Sequence, residues 1–256
     1  MVQTAERSSH LDPSENVIFQ RHMIAYNEAS KIISGTVLEI GCGEGYGVPI
    51  LAALAQKYIA IDKYQTHINS SVMDKYNIEF RQMEIPPLTD IASNSIDYVV
   101  TFQVIEHIQN DDLFLKEIFR VLRKGGKLLL TTPNKLMSLS RNPWHIREYT
   151  PSEMENTLNK SFTSFVIKGV YGKDKVIQYY QKNKASIKKI TRFDIFNLQY
   201  LLPRWALQIP YDFLNRINRR KLESNNNDIV SSVSVDDYYI KEDTENCLDY
   251  FCIATK

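Results

Sequence analysis

Residues 36–47 read TVLEIGCGEGYG, and this stretch decides the fold of the chain. Near its start, residues 37–40 form a short, mostly apolar run typical of a buried strand. Gly41, Gly43 and Gly45 follow, and without Cβ atoms they permit turn dihedrals that other residues avoid. A helical run with a proline near its start comes next. The pattern predicts a strand, a turn and a helix that hold a nucleotide-like ligand.

The spacing of the glycines distinguishes two kinds of ligand. A dinucleotide fingerprint needs G-x-G-x-x-G, but the third position falls on Tyr46, Val48 or Ile50 in the three frames. The sequence is instead E-x-G-x-G-x-G, with Glu39 two residues before Gly41. This pattern resembles motif I of the class I S-adenosylmethionine (SAM)-dependent methyltransferases. The resemblance implies SAM as cofactor, because a carboxylate suits its ammonium and sulfonium charges.

Composition sets broad limits on the chain. Its 256 residues fit one domain with an insertion, and a net charge of +1 gives no field that would attract nucleic acid. Three cysteines without a C-x-x-C pair predict a reducing compartment and no zinc or other metal site. The N-terminal residues lack a signal peptide, and no apolar run reaches a membrane-spanning length. We therefore expect a cytoplasmic protein.

A second apolar run, residues 58–62, ends in an acid 21 residues beyond Gly41. An acid at this place in a nucleotide-binding βαβ unit accepts both ribose hydroxyls. Asp62 is thus predicted to bind ribose, and the alternative is an N-cap for a helix over residues 65–76. The predicted cofactor-binding residues are Glu39, Gly41, Cys42, Gly43, Gly45, Asp62, Lys63, Gln82, Met83, Phe102 and Gln103.

Two pairs in this set are assigned to the two ends of the cofactor. Gln82 and Met83 stand where the resembled family usually has Asp-Ala or Asn-Ala beside the adenine. Glutamine can still accept a hydrogen bond from an exocyclic amine, and methionine can cover a ring. Phe102 and Gln103 stand at the tip of a nearly continuous apolar strand over residues 95–102, and we expect them at the methionine end.

Later segments resemble one branch of this family. Residues 103–108, QVIEHI, resemble the "vhEHi" signature of the ubiquinone-biosynthesis-like methyltransferases. Residues 120–134, RVLRKGGKLLLTTPN, resemble the helix and strand that follow, with the helix ending at residues 124–126. His107 is either a catalytic base or a structural histidine at a helix start.

Residues 142–149, NPWHIREY, match a segment of similar methyltransferases that act on sugars and glycan precursors. His145 could deprotonate an acceptor hydroxyl, and Arg147 or Glu148 could orient the substrate. Alternatively, the segment is a structural clamp in which Arg147 pairs with Glu148 or Glu106. The predicted substrate residues are Trp144, Arg147, Tyr149 and Tyr26, the last from a helical lid over residues 15–34.

The resemblance implies an α/β, Rossmann-like sheet of seven mostly parallel strands with helices on both faces. Strand seven, residues 247–255, would run antiparallel beside strand six, residues 161–170. Residues 171–246 form an aromatic and basic helical insertion between them. It either covers the acceptor side or presents an amphipathic surface to a lipid-linked acceptor or to the inner face of the membrane.

The sequence thus predicts a SAM-dependent methyltransferase that O-methylates a sugar, a glycan precursor or a similar hydroxylated acceptor. Its partner would be a small-molecule or lipid-linked glycan acceptor, with no nucleic acid. The alternatives are a non-catalytic SAM-binding subunit of a protein complex and an NAD-dependent oxidoreductase, which the glycine spacing disfavours.

Overall fold

The computed structural model describes residues 12–66, 68–192, 194 and 196–256. The N-terminal stretch on which the cytoplasmic expectation rests lies mostly in residues 1–11, outside the described residues. None of the helices that the structure describes is both long enough and apolar enough to cross a bilayer.

One mixed sheet forms the centre of the described part of the chain. Its eight strands are β1 Thr36–Ile40, β2 Lys57–Asp62, β3 Ile78–Gln82, β4 Ile96–Phe102, β5 Leu122–Pro133, β6 Ser164–Gly172, β7 Tyr238–Lys241 and β8 Asp249–Thr255. The order across the sheet is β3-β2-β1-β4-β5-β8-β6-β7. Strands β1 to β5 are parallel, and β8 runs antiparallel to both β5 and β6.

This topology confirms the Rossmann-like sheet with an antiparallel last strand, but the prediction of seven strands is wrong. The eighth strand is β7, which lies inside the predicted insertion and pairs antiparallel with β6 at the sheet edge. It has only four residues, YYIK, too short a run for the period-two pattern to stand out.

The α-helices in the described ranges are α1 Asn16–Ser30, α2 Val48–Ala52, α3 Ser70–Lys75, α4 Asp111–Val121, α5 Pro151–Asn159, α6 Asp174–Thr191, α7 Leu198–Leu201, α8 Arg204–Asn225 and α9 Asn227–Ser232. Successive strand residues point to opposite faces, so neighbours such as Val37 and Leu38 belong to different cores. One core includes side chains of α1, α2, α6, α8 and α9, and the other includes side chains of α4 and α5. Helices therefore cover both faces of the sheet, as predicted.

Two helix boundaries that were predicted from the sequence have different outcomes. Residues 150–153, TPSE, have the sequence pattern of a capping box, and Thr150 and Glu153 form that box at the start of α5. The expected end of the preceding helix at residues 124–126 is wrong, because α4 stops at Val121. Leu122 is fully buried and pairs with Ile96 in the sheet, so burial in the strand outweighs the Lys-Gly-Gly end signal.

Candidate functional site

The carboxyl ends of β1, β2 and β4 meet at one edge of the sheet, where such folds bind ligands. A cavity of 420 Å³, here called the strand-end cavity, opens at this edge. Its size is typical of a small-molecule site. Ten of the predicted site residues line it: Tyr26, Gly41, Cys42, Gly43, Asp62, Lys63, Phe102, Gln103, His107 and Trp144.

The glycine turn presents bare backbone to this cavity. Gly41 and Gly43 have φ angles of 80° and 59°, a left-handed conformation that favours glycine. A Cβ atom built on Gly43 would meet no described heavy atom within 4 Å, so it would project into open space. The Gly41 N–H donates to the carbonyl of Ile61 at 2.7 Å and ties the turn to β2. The turn can therefore receive a ligand in direct contact with the main chain.

Asp62 closes β2 and fixes the same turn. Its Oδ2 accepts the Gly43 N–H at 2.9 Å, and its Oδ1 accepts the Tyr64 N–H at 2.9 Å. The interpretation of Asp62 as a helix cap is wrong, because Asn69 caps α3. Asp62 is 8% exposed and lines the cavity, where its carboxylate can accept further hydrogen bonds. Its predicted contact with a ribose diol fits this position.

Glu39 lies beneath the cavity, not on its lining. Its two carboxylate oxygens accept the hydroxyl groups of Tyr26 and Tyr58, each at 2.6 Å. Burial raises the pKa of Glu39, and the two hydroxyl hydrogen bonds oppose that rise. The acid thus holds Tyr26 at the cavity wall, while its predicted contact with the ligand's cationic end stays a prediction.

Gly45, Gln82 and Met83 are not among the residues that line the cavity in the described chain. Gln82 donates through Nε2 to the Lys63 carbonyl at 3.0 Å, and the Met83 side chain packs on the core beside α4. Their predicted adenine contacts stay predictions. Sequence reasoning missed Tyr46, Tyr64, Glu84 and Ile85 on the lining. The apolar residue followed by proline at 85–86 was the available signal for the last of these.

A second cavity of 200 Å³, here called the loop cavity, lies between α1, α6, α8 and the segment after β5. Its lining is mixed, and its polar members include Arg21, Asn134, Asn142, His145, Glu148, Tyr180, Tyr211 and Asn215. Trp144 lines the strand-end cavity, whereas the next residue, His145, lines the loop cavity. The segment around these two residues therefore separates the cavities.

His145 has a defined orientation in this wall. The amide nitrogen of Asn142 lies 2.8 Å from Nε2, and Glu148 Oε1 lies 2.6 Å from Nδ1. Because an amide nitrogen only donates, Nε2 accepts and the ring proton sits on Nδ1, where it bonds the carboxylate. The ring of His107 packs edge-on at 4.9 Å, and its Nδ1 lies 3.2 Å from the Trp144 carbonyl. The arrangement leaves Nε2 of His145 as a basic atom oriented by Glu148.

The side chains of Arg147 and Tyr149 point to Asp111 on α4. Both bind Asp111, through the Arg147 guanidinium at 2.7 Å and the Tyr149 hydroxyl at 2.9 Å. Burial, with the Asp111 charge, raises the pKa of Tyr149. The side chain of Arg147 therefore pairs with Asp111, and not with Glu148 or Glu106 as the clamp hypothesis anticipated. Neither Arg147 nor Tyr149 is among the residues lining the two cavities in the described ranges, and their substrate contacts stay predictions.

Among the residues that the structure describes, Glu106, His107 and His145 form a group that could hold a metal ion. Their ligand atoms lie within 4.8 Å of one another, and carboxylate and imidazole atoms bind divalent ions. Glu106 Oε2, however, accepts the Thr132 hydroxyl at 3.0 Å, and both His145 nitrogens have protein partners. A cation here would have to displace these bonds.

Comparison with known proteins finds methyltransferases that are similar in sequence. Residues 38–130 match the family described as a methyltransferase domain. Over 162 residues the chain is 38% identical to a "Probable S-adenosylmethionine-dependent methyltransferase" of Mycobacterium tuberculosis, a match that covers 60% of this chain and 58% of the relative. It is 31% identical over 121 residues to the mitochondrial ubiquinone biosynthesis O-methyltransferase of Bos taurus, covering 44% of this chain and 32% of that protein. The chain thus spans less than two thirds of these relatives.

A solved structure supports the fold. A SAM-dependent methyltransferase of Thermotoga maritima, titled a "possible histamine N-methyltransferase", superposes with a TM-score of 0.53 at 17% identity, covering 93% of this chain and 92% of that one. Over residues 38–130 the sequence is thus similar to a methyltransferase domain, and the fold of the chain is similar to that of a SAM-dependent methyltransferase. The strand-end cavity fits SAM, since it offers bare backbone at Gly43 and a carboxylate at Asp62.

The ribose role of Asp62 gives a first testable prediction. Asp62→Ala removes a charged acceptor and should weaken SAM binding by ~1.5–3 kcal/mol, roughly 10- to 150-fold in Kd by calorimetry. Asp97→Ala is a matched control, because Asp97 also accepts a backbone N–H, from Thr36 at 2.8 Å, but at the opposite end of β1. The control should bind SAM normally. An unchanged Kd for the Asp62 variant would refute the role.

Proposed function

We propose that this protein is a SAM-dependent methyltransferase that O-methylates a sugar, a glycan precursor or a similar hydroxylated acceptor. The observation that carries the proposal is the position of His145. It lines the loop cavity and stands next to Trp144, which lines the cavity that fits SAM. A base between the two cavities is where an acceptor hydroxyl would lose its proton.

The asparagine and tyrosine side chains in the mixed lining of the loop cavity support a hydroxylated acceptor. Asparagine amides and tyrosine hydroxyls both donate and accept, as sugar hydroxyls do. Tyr180, Tyr211 and Asn215 come from α6 and α8, so residues 171–246 contribute directly to this cavity. We therefore assign the insertion to the acceptor side. The acceptor itself would be a small molecule or a lipid-linked glycan, and a cytoplasmic location stays a prediction.

The side chains can perform the proton transfer that O-methylation needs. Bound SAM supplies an electrophilic methyl group on a sulfonium, and its neutral thioether leaving group needs no general acid. Nε2 of His145 would give up its hydrogen bond from the Asn142 amide and accept one from the acceptor hydroxyl. It would then take the proton of that hydroxyl. Glu148, 2.6 Å from Nδ1, holds the ring in the required tautomer and stabilises the charged imidazolium. Alignment of acceptor and methyl supplies much of the remaining acceleration.

Transfer of labelled methyl from SAM tests the proposal. The full chain is incubated with labelled SAM and with sugar nucleotides, lipid-linked glycans and phenols, and the products are analysed for the methylated atom. We expect a methyl ether on a hydroxylated acceptor. SAM binding without transfer to any acceptor would indicate a non-catalytic subunit instead, and a methylated nitrogen or carbon would contradict O-methylation. Binding of NAD in preference to SAM would favour the oxidoreductase.

A further inference from the structure

Two buried aromatic rings contact each other in the lining of the strand-end cavity. Tyr26 comes from α1 and Phe102 ends β4, and their ring centroids lie 5.0 Å apart with the planes at 82°. The two residues are 4% and 8% exposed, so they are largely shielded from water. Tyr46, which also lines the cavity, packs edge-on against Tyr26 at 5.8 Å. Tyr26 and Phe102 are here called the ring pair.

The glycine-rich motif fixes the Tyr26 ring from two sides. Gly47 is the last residue of the stretch TVLEIGCGEGYG, and a Cβ atom built there would overlap the Tyr26 ring. At the other end of the ring, the Tyr26 hydroxyl donates to Glu39 Oε1 at 2.6 Å. The bare backbone at Gly47 and the carboxylate of Glu39 therefore hold this ring at the cavity.

Glu39 places a negative charge behind the Tyr26 ring. Each of its carboxylate oxygens accepts a hydroxyl proton, one from Tyr26 and one from Tyr58. These two bonds favour the ionised carboxylate, against the burial that raises its pKa. A short hydrogen bond to an ionised acceptor polarises the phenol and makes its ring more negative. Cations are attracted to the negative face of an aromatic ring, and more strongly where water is excluded.

The sulfonium of SAM would lie near the ring pair. SAM carries this group one carbon away from its ribose, so a ribose on Asp62 at the end of β2 keeps the sulfonium in the same cavity. The methyl group must also face the acceptor, which the proposed function places beyond Trp144. The Trp144 carbonyl lies 3.2 Å from Nδ1 of His107, in the segment that follows β4. The sulfonium is therefore expected on the β4 side of Asp62, where the ring pair lies.

We propose that the rings of Tyr26 and Phe102 bind the sulfonium by cation–π attraction, and that Glu39 strengthens this attraction through the Tyr26 hydroxyl. Glu39 then acts on the cation indirectly, and Tyr26 contacts the cofactor in place of the acceptor contact predicted from the sequence. Methyl transfer converts the sulfonium to a neutral thioether, so the attraction is lost in the product S-adenosylhomocysteine, which favours its release. The inference rests on SAM binding in the strand-end cavity, which is part of the proposed function.

Isothermal titration calorimetry of the full chain with SAM and with S-adenosylhomocysteine, without an acceptor, tests the inference. The readout is the ratio of the Kd for S-adenosylhomocysteine to the Kd for SAM. Tyr26→Leu and Phe102→Leu each remove a ring and should lower this ratio about tenfold. Tyr26→Phe keeps the ring and loses only the bond to Glu39, so it should lower the ratio less.

Tyr58→Phe is the matched control. It removes the other hydroxyl from Glu39, but Tyr58 is fully buried and is not among the described residues that line the cavity. It should not lower the ratio. The lining also carries charged side chains that act on a cation and stay the same in every variant: Glu44, Asp62, Lys63 and Glu84. A preference for SAM that came from these charges would survive the loss of either ring.

An unchanged ratio in both leucine variants, with both compounds still bound, would overturn the inference and leave the proposed function. An equal fall in Tyr26→Phe and Tyr58→Phe would show that the ratio follows Glu39 and not the ring, which also overturns it. Where circular dichroism shows that a leucine variant does not fold, these two phenylalanine variants decide, and only Tyr26→Phe should lower the ratio. Binding of neither compound to the unmodified chain would contradict both proposals. The expected fall in a chain that transfers no methyl group would support the ring pair and reject the proposed catalysis.

Discussion

The variant Gly43→Val should bind no detectable SAM. Gly43 has a φ of 59° and faces the open strand-end cavity, so the valine side chain would occupy the space that the ligand needs. It would also strain the left-handed backbone by roughly 1 kcal/mol or more. Isothermal titration calorimetry with SAM and with S-adenosylhomocysteine measures the loss, which should exceed about 100-fold in Kd.

The matched variant Gly125→Val distinguishes steric blocking of the strand-end cavity from strain of the backbone. Gly125 has a φ of 78°, and a Cβ atom there also meets no described atom within 4 Å, but it lies in β5 away from the cavity. Both variants should lose similar stability in thermal unfolding, and only the Gly43 variant should lose SAM. If both variants bind SAM equally, the glycine turn is not the cofactor cradle.

The variant His145→Ala should slow methyl transfer by about 100- to 10,000-fold, the usual contribution of a positioned base. SAM affinity should not change, because His145 lines the loop cavity and not the strand-end cavity. Single-turnover kinetics with labelled SAM separate the transfer step from binding.

Two further measurements distinguish a base from scaffolding at this position. Added imidazole should restore part of the activity of His145→Ala, since it can accept the proton in the vacated space. Glu148→Gln should lose less, because the amide oxygen can still accept the Nδ1 proton but carries no charge to stabilise the imidazolium. If His145→Ala transfers methyl at the same rate as the unmodified chain, the role of His145 is structural.

The parts of the fold that depend on local chemistry could be predicted from the sequence. The glycine turn after β1, the acid at the end of β2 and the capping box at Thr150 each follow from the residue types themselves. The β7 edge strand and the early start of β5 could not, because they depend on pairing with distant partners. Leu122, for example, enters β5 because it pairs with Ile96, which no local pattern reveals.

In the candidate site, too, the residues fixed by local geometry could be predicted, and those fixed by distant partners could not. Gly43 and Asp62 line the cavity as expected, since a strand-turn-helix unit fixes both by local geometry. Glu39 does not, because its carboxylate is bound by Tyr26 and by Tyr58 from a neighbouring strand. The motif defined Arg147 by its sequence position, but Asp111 on α4 determines where its side chain points. Side-chain partners from distant elements are the information that a single sequence lacks.

A crystal structure of the protein with S-adenosylhomocysteine tests the central claim most directly. The adenosyl group should lie in the strand-end cavity, with its ribose hydroxyls on the Asp62 carboxylate and its chain against the backbone of Gly43. Clear density for the compound at any other place, with this cavity empty or closed, would contradict the assignment of the cofactor site.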